Sequence, residues 1–226
     1  MTPNRITLAR IAMAFAAVGV FEFSGHALGA DLAALALVIL AIGLDAADGY
    51  LARRRKLETP LGAQLDILGD RLVENLFFTF YATAGSVSLW VPILFFTRGL
   101  ATDFLRSLAA REGRSGFGAN GMLESSWARA LVASRASRAA YATLKCVCFC
   151  WLGFELALAD LHARFLSGRA IAGIHLASHT LVLATVVFCL IRAVPVFWEG
   201  RRYLAPSAAA TAARKPAYRL LRGASS

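Results

Sequence analysis

Six apolar runs, each about long enough to cross a bilayer, follow one another along this chain, at roughly residues 7–24, 30–51, 62–84, 88–108, 139–160 and 170–195. Inside lipid every backbone N–H and C=O must be paired within the protein, and a single run of about 20 residues achieves this only as a helix. The spacing therefore predicts an all-α integral membrane protein with six transmembrane helices. Composition agrees, since 58% of the 226 residues are hydrophobic and 17% are charged, against about a quarter charged in soluble domains. No Pro-, Gly- or Ser-rich linker separates the runs, so residues 1–200 read as one membrane domain and 201–226 as a basic cytoplasmic tail. The first run reads as a retained helix, because no polar cleavage region follows it.

Charge sets the expected orientation. Arg5 and Arg10, the Arg53-Arg54-Arg55-Lys56 run, the 106–138 connection and the tail all fall on one side, while the other side receives only Arg164 and Arg169. Lys and Arg accumulate in cytoplasmic loops, so both termini are expected in the cytoplasm, with a bacterial inner membrane as the host. The formal charge of +10 then reflects attraction to anionic lipid headgroups and calls for no nucleic acid. Cys146, Cys148, Cys150 and Cys189 lie inside apolar runs and read as free buried thiols. His175 and His179, four apart, lie far from the acidic residues and are assigned no role.

Four aspartates break the apolar pattern. In "GLDAADGYLARRRKLETPLGAQLDILGD", Gly43 to Asp70, Asp45 and Asp48 lie three apart near the end of the second run. Asp66 and Asp70 lie four apart at the start of the third. On helices each spacing puts its pair on one face. The short basic turn between the two runs makes them antiparallel neighbours, so four carboxylates converge. Clustered carboxylates repel and are costly to desolvate, and they require protons or cations. Oxygen-only ligands suit Mg²⁺ or Mn²⁺, and four carboxylates neutralise about two such ions, the arrangement used in phosphoryl chemistry. Gly49 and Gly62 permit close approach, and Arg53 is placed to meet phosphate oxygens. Each aspartate alone reads more readily as a solvated boundary residue or a cap. Glu74 continues the Asp66–Asp70 stripe and reads as support, paired with Arg71 or with a neighbouring helix.

The joint pattern Asp45-x2-Asp48-Gly49-x2-Ala52-Arg53-x8-Gly62-x3-Asp66-x3-Asp70 resembles the signature of the CDP-alcohol phosphotransferase (CDP-alcohol phosphatidyltransferase) family at every fixed position. "PNRITLAR", Pro3 to Arg10, is similar to the Pro-Asn-x-x-Thr-x-x-Arg opening of many members. The resemblance implies an active site at the cytoplasmic ends of the second and third helices. It implies transfer of a phosphatidyl or other substituted phosphate group from a CDP-linked lipid, such as CDP-diacylglycerol, to a small alcohol, with release of CMP. By the same resemblance Asp45, Asp48, Asp66 and Asp70 hold the metal, Asp70 is the general base, and Gly49, Ala52, Arg53 and Gly62 contact the nucleotide, with Thr59 a further contact. A homodimer is also implied.

The acceptor is less constrained. A phosphorylated polyol, glycerol 3-phosphate or an inositol phosphate, needs a cationic seat, and Arg106, Ser134, Arg135 and Arg138 are the candidates. Arg98, inside the fourth run, needs a partner wherever it is buried. Phosphatidylglycerophosphate synthases commonly carry Leu-Asp-Pro-x-Ala-Asp-Lys where this chain reads "LDILGDR" from Leu65 to Arg71, a departure that counts against glycerol 3-phosphate as acceptor and leaves the chemistry untouched. Two rivals are an intramembrane prenyltransferase, whose aspartate motifs lie farther apart, and a small cation or proton transporter. Against the transporter, the aspartate pattern has no second copy after residue 100.

Overall fold

The structure is a computed structural model that describes residues 3–25, 27–55, 60–114, 121–159, 161 and 165–204, with the backbone alone for 3–4, 45–55, 60–61 and 63. The described helices are α1 (Pro3–Phe23), α2 (Leu28–Arg55), α3 (Pro60–Thr83), α4 (Trp90–Arg111), the single turn α5 (Ser126–Ala128), α6 (Arg135–Ala157) and α7 (Gly168–Gly200). A π turn, Arg129–Ala133, joins α5 to α6, and a 3₁₀ turn, Arg201–Leu204, follows α7. The remainder of the expected tail lies outside the described residues.

The expectation of six transmembrane helices is not met. Among the described residues three helical segments are long and apolar enough to cross a membrane: Arg5–Phe23, Ser126–Ala157 and Gly168–Leu204. The helices at the other three predicted runs exist, but charge interrupts them. Among the residues with described side chains the apolar part of α2 is Leu28–Leu44, short of the ~20 residues a span requires, and Asp45 and Asp48 follow it in the sequence. Asp66, Asp70, Arg71 and Glu74 occupy the first half of α3, and Arg98, Asp103, Arg106 and Arg111 punctuate α4.

The chain divides into two compact units. The first comprises residues 1–99 and 139–189. Along α1 the buried positions Thr7, Arg10, Ala14, Ala17 and Phe21 recur alternately three and four apart, and Asp31, Ala34, Val38 and Ala41 do the same on α2. This period makes one continuous face. The alanines let backbones approach where apolar burial gives little drive in lipid, and α1 packs against both α2 and α3. The later half of α3 is aromatic. Phe78 lies 4.3 Å from Phe95 and 4.7 Å from Phe149 between ring centroids, and the Tyr81 hydroxyl donates to the Phe149 carbonyl at 2.9 Å. Gly153 makes room for that hydroxyl, since a Cβ there would stand 3.0 Å from it. Farther along α6, Trp151 Nε1 donates to Ser178 at 2.9 Å, Ser178 donates to the buried Glu155, and His175 Nδ1 lies 2.7 Å from Glu155. The four cysteines are free, as expected, but only Cys148 and Cys189 are buried, while Cys146 and Cys150 are half-buried.

The second unit comprises residues 100–138 and 190–226. Its core is Leu105, Ala109, Met122, Leu123, Ala128, Val132, Val196 and Tyr203. Gly113, at φ +76°, ends α4 with Arg114 N–H donating to the Ala109 carbonyl at 3.0 Å, a left-handed cap that suits glycine. Ser134 breaks the π turn with an extended backbone and caps α6, its hydroxyl accepting from Ser137 N–H at 3.2 Å. Buried Arg192 donates to the Leu131 and Val132 carbonyls at 2.9 and 3.1 Å and to Ser137. These carbonyls are the groups that the irregular turn leaves in need of donors. Arg202 pairs with Glu124 at 2.7 Å and, through that hydrogen bond, holds its carboxyl below the usual carboxylate range.

Candidate active site

In the first unit the α-helical period sets Asp66 and Asp70 one turn apart on α3, and the two carboxylates are about half exposed, 56% and 50%. Between them sits Gly69, buried. A Cβ at Gly69 would lie 2.8 Å from Arg10 Nη2 and 2.9 Å from the Thr7 methyl carbon, so only glycine admits α1 this closely. Thr7 and Arg10, three apart on α1, form the face that enters this gap. Arg10 Nη2 donates to Asp70 at 3.0 Å and lies 3.8 Å from Asp66, while its side chain is 4% exposed. A buried guanidinium thus faces two solvent-accessible carboxylates.

Arg10 is a residue to which sequence reasoning gave no role in the site: it entered as a basic residue of the N-terminal segment and as the end of the PNRITLAR opening. The signal that could have found it is the Thr7-x-x-Arg10 spacing together with a glycine inside the Asp66–Asp70 pair.

One turn beyond Asp70, Glu74 is buried and gathers groups from two helices. Arg71 Nη1 is 3.4 Å away, Lys145 Nζ 3.5 Å, and the Tyr141 hydroxyl donates to it at 3.4 Å. Arg71 also lies along Gly99 of α4, where a Cβ would stand 3.4 Å from its Cδ. Glu74 thereby pairs both with Arg71 and with a neighbouring helix, the two readings the sequence left open.

The remaining expected site residues are placed as follows. Asp45, Asp48, Gly49, Ala52 and Arg53 lie on the helical backbone of the last part of α2, and their side chains are outside the described residues. Gly62 is in the first turn of α3, and Thr59 lies outside the described residues. Arg106, Ser134, Arg135 and Arg138 belong to the second unit. Arg106 pairs with Asp103 at 3.3 Å, Ser134 caps α6, and Arg135 and Arg138 are exposed in its first turn.

The donor set fits a hard divalent cation as far as it is described, because Asp66 and Asp70 offer half-exposed carboxylate oxygens one helical turn apart. Among the described residues no group of three or more His, Cys, Asp or Glu side chains converges, and the Asp45 and Asp48 side chains are not among those described.

Residues 1–159 match the sequence profile of the CDP-alcohol phosphatidyltransferase family. A CDP-diacylglycerol–glycerol-3-phosphate 3-phosphatidyltransferase of Bacillus subtilis (strain 168) is 32% identical over 121 residues, covering 49% of this chain and 63% of that protein. A probable phosphatidylglycerophosphate synthase of Mycobacterium tuberculosis (strain H37Rv) is 31% identical over 111 residues, covering 49% of this chain and 53% of its own. The chain spans between about half and two thirds of the length of these curated relatives.

Proposed function

Because the chain belongs to the CDP-alcohol phosphatidyltransferase family, we propose that it transfers a phosphatidyl group from a CDP-linked lipid, CDP-diacylglycerol, to the hydroxyl of a small polar alcohol, releasing CMP. The observation that carries this reading is the Asp66–Asp70 pair held against buried Arg10 across Gly69. Two accessible carboxylates backed by a fixed cation suit a reaction at a diphosphate, where charge builds on phosphate oxygens. Glycerol 3-phosphate is the acceptor we favour, supported by the names of the two bacterial relatives.

Asp45, Asp48, Asp66 and Asp70 are the residues that would hold Mg²⁺ or Mn²⁺, as two ions. Bound there, the metal would neutralise the donor's diphosphate and the charge that develops on CMP as it leaves. Asp70 accepts the proton of the attacking hydroxyl, which requires its carboxylate to be ionised. Arg10 holds the carboxylate in place through its hydrogen bond. Gly49, Ala52 and Gly62 leave room for the flat nucleotide, with Thr59 beside it, and Arg53 meets phosphate. Arg135 and Arg138, exposed at the start of α6, draw in an anionic acceptor together with Ser134 and Arg106.

The basic residues at both ends of the chain support cytoplasmic termini in a bacterial inner membrane, with a homodimer as the expected assembly. The test is CMP release by purified protein in detergent with CDP-diacylglycerol and Mg²⁺ or Mn²⁺. Glycerol 3-phosphate, an inositol phosphate, inositol and serine are supplied singly, with Asp70→Asn as control. CMP that depends on glycerol 3-phosphate and is lost in Asp70→Asn is the expected result, and CMP with none of the four acceptors sinks the reading.

A further inference from the structure

In the second unit one stripe of α7 carries a groove that ends in a cation. Leu190, Ala193, Val194, Phe197, Trp198 and Arg201 recur at the spacing of a single helix face, running onto the 3₁₀ turn. They line a shallow groove of about 430 Å³, within the ~300–1,000 Å³ range of ligand clefts. Buried Ala193 is its floor, and Leu190, Val194, Phe197 and Trp198 are exposed along it. From Leu190 to Arg201 the stripe rises about 16 Å, about half of a ~30 Å hydrocarbon core. That is the depth of one leaflet.

Charge at this end of the unit is sorted by face. Arg192 turns inward to the Leu131 and Val132 carbonyls. Glu199 accepts from the Glu124 and Ser125 N–H groups at 2.6 and 3.2 Å, and Glu124 is taken in turn by Arg202 at 2.7 Å and Arg114 at 3.3 Å. Arg201 stays on the open face, its guanidinium 4.1 Å from the Trp198 ring centroid, and among the described residues no carboxylate pairs with it. Stacking on the indole fixes the guanidinium plane and leaves its N–H edge for phosphate oxygens.

The order along the stripe is apolar groove, indole, cation, and a phospholipid presents acyl chain, ester and phosphate in the same order. An apolar face alone would hold any lipid loosely, because tails are as apolar as leucine. The cation at its end supplies the selection. In a zwitterionic lipid the headgroup's own ammonium competes for the phosphate, whereas an anionic headgroup leaves it to Arg201.

We propose that this stripe is the seat of one anionic phospholipid, with an acyl chain in the groove over Ala193 and the headgroup phosphate on Arg201. The seat requires α7 to lie in a membrane and does not rest on the transferase reading.

The experiment has two arms, both on the full chain purified in a neutral detergent. The first follows the thermal unfolding midpoint as phosphatidylglycerol, phosphatidylcholine or sodium phosphate is added singly at matched ionic strength, each variant being compared with its own lipid-free midpoint. A ligand of the folded state raises the midpoint as its concentration passes its Kd. Phosphatidylglycerol is expected to raise it saturably, and the other two far less. Arg201→Gln should weaken the response to phosphatidylglycerol about fivefold, the worth of one basic residue at an anionic surface, and Arg201→Lys should keep most of it. Val194→Trp fills the groove from an exposed position and should weaken the response with Arg201 in place. An equal rise with phosphatidylcholine or with phosphate alone, or a response undiminished in Arg201→Gln or in Val194→Trp, overturns the proposal. A midpoint that depends on protein concentration, and loses that dependence in Val194→Trp, puts a second copy on this face and overturns it too.

The second arm measures CMP release against CDP-diacylglycerol concentration. Arg201→Gln is expected to leave the KM within about twofold, and a rise of about tenfold would make the groove the donor's own site and overturn a separate seat. If no acceptor elicits CMP from the unaltered protein, the transferase reading fails while the first arm still decides the lipid seat.

Discussion

Arg10 on α1 and Asp70 on α3 lie sixty residues apart in sequence and meet at 3.0 Å, the guanidinium buried and the carboxylate half exposed. The burial is one-sided: Arg10 is fixed by packing, and Asp70 keeps a face free to meet substrate. Arg10→Gln keeps polarity but removes the charge and the fork. We expect it to lower stability by about 1–2 kcal/mol, modest because both carboxylates are solvated. CMP release should fall about tenfold or more, because Asp70 loses the partner that orients it. Arg10→Lys should fall between the two, since an ammonium cannot reach both carboxylates at once. Activity unchanged in Arg10→Gln would remove Arg10 from the site.

Gly69→Ala tests the contact from the other side. Its new methyl meets Arg10 Nη2 at 2.8 Å and the Thr7 methyl at 2.9 Å. The arginine end can swing, but Thr7 sits on the buried face of α1, so that helix must shift. Overpacking of this kind costs about 1–3 kcal/mol. Thr7→Ser removes the opposing methyl, and the pair Thr7→Ser with Gly69→Ala should recover part of that loss. A double-mutant cycle on the unfolding midpoint measures the coupling, and strictly additive effects would show that the two positions do not touch.

How far the sequence reached is seen at these same residues. The Asp66–Asp70 face was legible because a spacing of four is a property of any α-helix and needs no tertiary knowledge. Arg10 was not, since its partner is chosen by how α1 packs on α3, and its charge had a ready explanation as a cytoplasmic-side basic residue. The six-span expectation failed at α3 and α4 because windows of about 20 residues absorbed charged stretches of helix as if they were flanks. At Glu74 the stripe was readable from the spacing, but Tyr141 and Lys145 come from α6, more than sixty residues away.

Tyr81→Phe separates packing from chemistry. The hydroxyl bonds to a backbone carbonyl at 2.9 Å inside the aromatic layer, far along α3 from Asp66. Its loss should cost about 0.5–1.5 kcal/mol in the unfolding midpoint and leave CMP release within about twofold. A drop in turnover comparable to that of Arg10→Gln would mean that this layer governs the site's geometry.

The Glu124–Arg202 pair predicts a pH dependence with a definite sign. Arg202 lowers the Glu124 pKa in the folded state, so the unfolded chain binds the proton more readily, and stability from this pair rises with pH. It is fully present above the ordinary glutamate value, about 4.3, and is lost as pH falls through the lower folded value. Glu124 is solvent-exposed, so the contribution is screened by salt. Unfolding midpoints of the unaltered protein and Glu124→Gln should differ near pH 7, converge as pH approaches 3, and differ less in about 0.5 M salt. A gap that persists at pH 3 would assign the effect of Glu124 to something other than its charge.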